Sequence, residues 1–355
     1  MFSYSHQAVR ALLLTALLLA GCQKEKPAPY IPSAPTTPTT TTFTNPLLSV
    51  GPDPWVYQKD NMYYYMSTTG GNLVIRKTAK MSELGSAVST VVWTPQRAGV
   101  NQIEIWAPEL HFFDGKWYIY YSANPLCCAG HRVFVLENSS ADPTTGTWVD
   151  KGRIANPNVD LWAIDGTVLE QNGKRYLIWS GHEVENGRTQ RIYISEMSNP
   201  WTLVGPRVEL SHPEYNWETM GDPDVNEGPE ILKHGNKTFL IYSASHCSTD
   251  DYALGMLTAS STADPMQLSS WTKSTTPVFT KNTAGQAFGP GHNGFFKSKD
   301  GTEDWIIYHA NPQAGQGCGD NRSPRIQKFT WKADGTPDFG TPVNLGTALP
   351  RPAGE

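Results

Sequence analysis

Residues 106–122 read WAPELHFFDGKWYIYYS. Two apolar runs flank Asp114-Gly115, and an Asp-Gly pair between such runs is a strong hairpin signal. The same unit recurs four more times. Asp53 precedes a turn at Asp60-Asn61 and the run YYYMS at 63–67. Asp165 precedes Asn172-Gly173 and YLIWS at 176–180. Glu227 precedes His234-Gly235 and FLIYS at 239–243, and His292 precedes Asp300-Gly301 and WIIYH at 305–309. In each copy a lead residue, Trp106 in the first-quoted stretch, stands seven or eight positions before the turn. The copies start 53 to 65 residues apart.

Repeats of this kind, each holding several short strands, point to a β-propeller. Five blades of four strands would fill residues 45–350 as one all-β domain. No run shows a 3.6-residue apolar period, so little helix is expected. The spacing predicts first-blade strands at 54–58, 62–67, 72–77 and 90–93, and last-blade strands at 293–297, 304–309, 325–331 and 342–345. Composition agrees: aromatics make up 11% of the 355 residues, charged residues only 17%, and there are 31 Gly and 27 Pro. That balance favours a turn-rich β protein over a helical one. A net charge of −5 without a Lys/Arg stripe argues against a nucleic-acid partner.

The N-terminal residues read as a targeting segment. Arg10 precedes the apolar run from Ala11 to Ala20, which is too short to span a bilayer as a mature helix. With Leu19-Ala20-Gly21-Cys22 it resembles a bacterial lipoprotein signal. That implies removal of residues 1–21 and lipidation of Cys22, the only membrane contact expected. Gln23 is compatible with the outer membrane, on its periplasmic or cell-surface face. Residues 22–44 are Pro- and Thr-rich and read as an extended tether. Export permits disulfides. Cys127, Cys128, Cys247 and Cys318 each follow an aromatic run ending in Ser or His. Four cysteines allow three pairings; the adjacent Cys127 and Cys128 rarely bond to each other, and one or both are expected to pair with Cys247 and Cys318.

In a propeller the first strand of each blade lines the central channel. Asp53, Trp106, Asp165, Glu227 and His292 are therefore expected at one end of it. Three carboxylates brought together repel one another unless a function or a cation offsets the cost. Other acids compete for attention. Glu230 follows Glu227 by three, and an odd offset on a strand faces the opposite side, so Glu230 is expected to point into the blade. Asp222 and Asp224 could reach the rim, while Glu104, Glu109 and Asp160 read as structural. Trp106 could stack on the flat face of a ligand or plug the channel. Trp55 and Trp162 could wall a pocket or pack in the core.

The strings DPWV, WAPEL, IDGTV, EGPEIL and GHNGF, in this order and spacing, resemble glycoside hydrolase family 43. Each string alone is common; the ordered set across 45–350 carries the resemblance. That family consists of five-bladed propellers that act by inversion on plant-wall arabinose and xylose polymers. The resemblance implies Asp53 as general base, Glu227 as general acid, and Asp165 as the carboxylate that orients the acid and raises its pKa by repulsion. Inversion needs one ionised and one protonated carboxyl, about 6.5–9.5 Å apart, with water between base and sugar. The resemblance also implies that Arg322, in RSPRIQKFTWKADGTP, bonds the terminal sugar. Arg325 is the alternative, with a surface salt bridge as its plainer role. His292 would join a structural calcium in the central channel through waters, with no cofactor required for the chemistry. Asp53 is followed by Pro-Trp, unlike the Asn-Asp-Pro pattern of retaining five-bladed fructosidases, which argues against a covalent intermediate. The stretch RIQKFTWKADGTPDFGTP resembles the arabinofuranosidase-like members. The expectation is an inverting, exo-acting α-L-arabinofuranosidase that trims arabinan or arabinoxylan outside the cytoplasm. β-Xylosidase, endo-arabinanase and galactosidase activities share the same three carboxylates and remain alternatives. A surface glycan-binding propeller without catalysis is the non-enzyme alternative.

Overall fold

Five four-stranded antiparallel sheets, each built from strands consecutive in sequence, form the computed structural model, which describes residues 41–96, 99–125, 130–156 and 159–355. Blade one comprises Trp55–Lys59, Met62–Met66, Leu73–Thr78 and Val88–Trp93. Blade two comprises Ile103–Phe113, Lys116–Asn124, Arg132–Asn138 and Val149–Arg153. Blade three comprises Ala163–Gln171, Lys174–Gly181, Arg191–Asn199 and Thr202–Ser211. Blade four comprises Asn226–His234, Lys237–Ala244, Ala253–Ser260 and Thr272–Lys273. Blade five comprises Phe288–Lys297, Asp304–Asn311, Ser323–Trp331 and Pro337–Asp338. The first strand of each blade touches the first strand of the next, and blade five returns to blade one. The architecture is a closed five-bladed propeller.

The aromatic runs are continuous rather than alternating because both faces of each second strand are buried. Tyr63 and Tyr65 pack toward blade five, whereas Tyr64 and Met66 pack toward blade two. Trp117, Ile119 and Tyr121 face blade one, and Tyr118 and Tyr120 face blade three. Each blade interface thus owns its own core. The hairpins behind these runs turn through residues with positive φ, such as Asp114 (54°) with Gly115 (74°) and Asn172 (54°) with Gly173 (73°). Asp, Asn and Gly are the residues that accept that conformation most readily. Helix among the described residues is limited to three short 3-10 segments, at Met81–Ser86, Asn216–Glu218 and Leu268–Ser270.

The last strand of blade five is displaced from its expected place at 342–345. The ladder pairs Thr330 with Asp338 and Trp331 with Pro337. The Gln327 side chain then takes the ladder's role, donating to the carbonyls of Phe339 and Thr341 and accepting from Val343 N–H. The ring is closed by the segment that precedes blade one. Thr42–Phe43 pairs with Leu349–Pro350, the Asn45 amide bonds both backbone groups of Ile326, and Leu47 N–H donates to Pro324.

A bulge near the start of the first strand is the device that builds the channel mouth. The register skips between Trp106 and Glu109, Ile164 and Thr167, Glu227 and Glu230, and Gly291 and Gly294. The first bulged residue is left-handed each time: Ala107 (φ 42°), Asp165 (55°), Gly228 (54°) and His292 (46°), with Asp53 (55°) in the matching place ahead of blade one. A bulge turns one residue out of its own ladder and re-aims its side chain. The N–H so released is accepted by the preceding blade in all five cases. Ala107 N–H donates to Thr68 Oγ1 (2.7 Å) and Asp165 N–H to Ser122 Oγ (3.0 Å). Gly228 N–H donates to Asp165 Oδ2 (2.9 Å), His292 N–H to Ser243 Oγ (2.8 Å), and Asp53 N–H to His309 Nδ1 (3.1 Å). The equivalent positions are therefore Asp53, Ala107, Asp165, Gly228 and His292. Trp106 and Glu227, expected to lead their repeats, stand one residue earlier.

Replacing Ser122 or Ser243 by Ala leaves a buried N–H without its acceptor. Each variant is expected to lose about 1–3 kcal/mol of unfolding free energy in urea, more than an exposed Ser→Ala control.

Candidate active site

Asp53, Trp106, Asp165, Glu227, His292, Trp162 and Arg322 all line one cleft of about 1240 Å3 at the channel mouth. Trp55 does not. It is buried between blades one and two, with its indole N–H on the Leu110 carbonyl (2.9 Å). As the first residue in the blade-one ladder, paired with Met66, it faces blade two rather than the mouth, so the expected sugar contact is corrected to a core role. Trp106 lies flat on His131 (centroids 4.0 Å apart, 19°) and Trp162 on His182 (4.3 Å, 9°). Trp106, Trp162 and His182 present a rigid aromatic wall to the cleft.

Asp53 sits beside one guanidinium, two buried imidazoles and one hydroxyl donor. Arg322 Nη1 reaches Oδ1 at 2.9 Å, His292 Nδ1 lies 3.4 Å and His309 Nδ1 3.5 Å from the same oxygen, and Thr68 Oγ1 donates to Oδ2 at 2.6 Å. Burial alone would raise the Asp53 pKa. The Arg322 guanidinium first, with Thr68 donating to the other oxygen, outweighs it and holds the carboxyl well below the usual range, while burial keeps the imidazoles of His292 and His309 toward their neutral forms. Asp53 is thus a fixed anion. The Arg322 guanidinium, expected on the sugar, is spent largely on this carboxylate and on the Gly319 carbonyl. Arg325 is not at the surface. It is fully buried and holds the carbonyls of Gln286 and Ala310.

Glu227 has the opposite setting. Its carboxyl accepts from Tyr252 Oη at 2.9 Å. Burial pushes its pKa up to about 7, the Asp53 charge adds to the rise, and Tyr252 and Arg322 oppose it. Asp165 is also raised, by burial first and then by Glu227 and Asp53, against the Gly228 N–H bond. The two carboxyls act as a pair that retains a proton near neutrality. Burial is the leading cause at Glu227, rather than the repulsion from Asp165 that the sequence suggested.

Glu230 and Glu109 lie one layer deeper. The bulge at Gly228-Pro229 resets strand parity, so Glu230 turns toward the axis instead of into its blade. Its Oε2 lies 3.5 Å from Thr167 Oγ1 on blade three, and it neighbours Glu109 on blade two. Blades two and four meet only across the channel. Both acids are raised well above the carboxylate range by burial, and Glu109 bonds His111 (2.9 Å), an imidazole kept neutral by burial. Among the other acids, Asp160 pairs with Arg132 and Arg153, Asp222 with Arg188, and Glu104 with His131.

The donors around His292 do not form a direct calcium shell, which needs six to eight oxygens. One imidazole faces one carboxylate oxygen that Arg322 already holds. Among the described residues the only cluster of three or more such ligands is His246, Cys247 and Cys318. Those two sulfurs form a disulfide across a separation of 71 residues. This corrects the expected pairing of Cys247 and Cys318 with Cys127 and Cys128, which lie outside the described residues, as does Cys22.

An ionised carboxylate and a proton-bearing carboxyl facing one cleft, from different blades, can deliver a base and an acid to opposite sides of one bond. The family model described as Glycosyl hydrolases family 43 matches residues 43–337. The chain belongs to glycosyl hydrolases family 43. It is 42% identical over 344 residues to an extracellular exo-alpha-(1->5)-L-arabinofuranosidase of Streptomyces avermitilis, covering 94% of this chain and 69% of that protein. It is 40% identical over 313 residues to alpha-L-arabinofuranosidase 43 of Humicola insolens, covering 86% of this chain and 64% of that one. The crystal structure of alpha-L-arabinofuranosidase from Lactobacillus brevis superposes with a TM-score of 0.81 at 38% identity, covering 86% and 98% of the two chains. The chain spans about two thirds of the length of the two curated relatives. As a member of this family it is a glycosidase.

Sequence reasoning missed Tyr252, His309, Thr68 and His182. His309 had a signal: it is the one His where the other four aromatic runs end in Ser. Tyr252 had none, because it precedes a third strand far from any repeat landmark.

A carboxyl with a folded value of about 7 and an ordinary value of 4.5 stabilises the fold fully below 4.5, and that contribution is gone above 7. Between pH 4.5 and 8 the protein is therefore expected to lose stability relative to its own Glu227→Gln variant, on the order of 3 kcal/mol by urea unfolding at the two pH values.

Proposed function

We propose that this glycosidase removes terminal α-L-arabinofuranosyl residues from arabinan or arabinoxylan by inversion. The supporting observation is the division of charge between Asp53 and Glu227. Asp53 accepts a proton from water as the water oxygen bonds to the anomeric carbon. Glu227 gives its proton to the glycosidic oxygen as the bond from that oxygen to the anomeric carbon breaks. Asp165, tied to the backbone beside the acid through Gly228, orients it. The arabinose specificity is supported by the three relatives, each named an arabinofuranosidase, and the exo mode by the name of the Streptomyces protein. Trp106, Trp162 and Arg322 line the cleft where the sugars would lie.

We infer further that the protein is exported and held by lipid at Cys22. The targeting pattern of residues 1–22 supports both, and the word extracellular in the name of the Streptomyces relative supports export alone. A calcium near His292 would be held through waters and is given no chemical step.

Linear arabino-oligosaccharides are expected to release arabinose alone from the first minutes, and NMR should show the β-anomer first. Asp53→Ala and Glu227→Ala are each expected to lower kcat by about 100-fold or more while ligand is still bound. Early release of oligomers would overturn the exo assignment, and an α-anomer appearing first would overturn inversion.

A further inference from the structure

Tyr252 belongs to blade four, immediately before Ala253–Ser260, and is 1% exposed. Its hydroxyl donates to Glu227 Oε1 at 2.9 Å. Its ring lies parallel to that of His309 (centroids 5.8 Å apart, 7°), the residue that accepts Asp53 N–H. The seat is tight. A Cβ on Gly291 would come within 2.3 Å of the Tyr252 ring, so the glycine in the GPGHNG stretch is required by this tyrosine. One side chain therefore touches the Glu227 carboxyl and leans on the support of the Asp53 backbone.

We propose that Tyr252 is a positioning residue for Glu227: its hydroxyl selects which carboxyl oxygen carries the proton and sets the pH at which that proton is lost. This rests on the reading of Glu227 as the acid. With Oε1 occupied by the phenol, Oε2 is the oxygen left to hold the proton for the leaving group. A donor at Oε1 stabilises the ionised carboxylate more than the neutral acid, so it pulls the titration downward. Of the other groups facing Glu227, Arg322 alone also pulls its titration down, and it does so by charge rather than by a bond to the carboxyl. Asp53 from blade one is an anion and favours the neutral form, while Asp165 from blade three is itself raised by Glu227. Arg322 and His292 from blade five bond or face Asp53, and His309 is turned to Asp53 and to the tyrosine ring. Tyr252 is the hydroxyl in direct contact.

The test is the pH profile of kcat/KM on an arabino-oligosaccharide for Tyr252→Phe, which removes one oxygen and keeps the ring. The alkaline limb is expected to move upward by about one pH unit, the loss expected of a hydrogen bond to a charged group. Site-specific 3-fluorotyrosine at position 252, a stronger donor, is expected to move the limb downward. It keeps the proposal testable if the Phe variant does not fold. A limb that stays in place in either folded variant, whatever happens to kcat, assigns Tyr252 a packing role and overturns the proposal. Glu227→Gln run alongside separates the premise. If it keeps wild-type turnover, the reading of Glu227 as acid fails; if it is inactive while the limb in the tyrosine variants is unmoved, only the inference about Tyr252 fails.

Discussion

The structure depends on where five backbone N–H groups go. Four first strands open with a left-handed bulge, Asp53 takes the same conformation just ahead of the fifth, and none of these residues has a ladder partner of its own. The freed N–H is buried, so it must be accepted or cost a few kcal/mol. The preceding blade supplies the acceptor every time: Thr68, Ser122, Asp165, Ser243 and His309. This is a circle of hydrogen bonds around the axis, and it explains why the runs of blades two, four and five end in Ser122, Ser243 and His309. Packing between blades is apolar and tolerant of small slips. The circle is directional, and it fixes where each bulged residue presents its side chain. At the junction of blades three and four, Ser180 turns instead to the Asn226 carbonyl and the carboxylate of Asp165 takes its place. A reacting-site acid thereby doubles as a structural acceptor.

The fold was legible because its signals are local and repeated. A turn pair followed by a doubly buried strand leaves the same trace five times. The site was legible only to within one residue. Spacing from the turn placed Trp106 and Glu227 in line with Asp53, Asp165 and His292, whereas the bulges place Ala107 and Gly228 there. The bulge in blade four defeated the parity argument for Glu230, and in blade one Trp55 falls in the ladder and packs in the core. A one-residue insertion reverses every later side chain on a strand, and a single sequence carries no mark of it beyond a Pro or Gly. Arg325 and the Cys247–Cys318 bridge were misjudged for a different reason. Both depend on which loops meet, which strand spacing does not specify.

Below the mouth the channel is filled with acids that carry no charge. Glu109 and Glu230 are held in the neutral form by burial and by each other, and His111 beside them is neutral too. An ionised floor would repel Asp53 and Asp165 from below and raise both. A neutral floor leaves the charge of the mouth to be set by its own neighbours. The upward shift at Glu227 thus comes from burial and Asp53, with no anion beneath it among its causes.

The division between base and acid follows from how the ring closes. Asp53 begins blade one, and the segment before it must reach blade five to complete the circle. On the way Gly51 N–H donates to the Arg322 carbonyl at 3.0 Å, two residues before Asp53. A Cβ at position 51 would lie 2.4 Å from Tyr65 Oη and 3.0 Å from Pro324, so glycine lets the two segments run this close. Closure therefore delivers a guanidinium and the imidazole of His309 to Asp53, both from the last blade. Glu227 begins blade four, where the chain is continuous and no closing segment passes. Its immediate partner is the uncharged Tyr252. One carboxyl is ionised and the other keeps its proton because one stands at the seam of the propeller and the other does not.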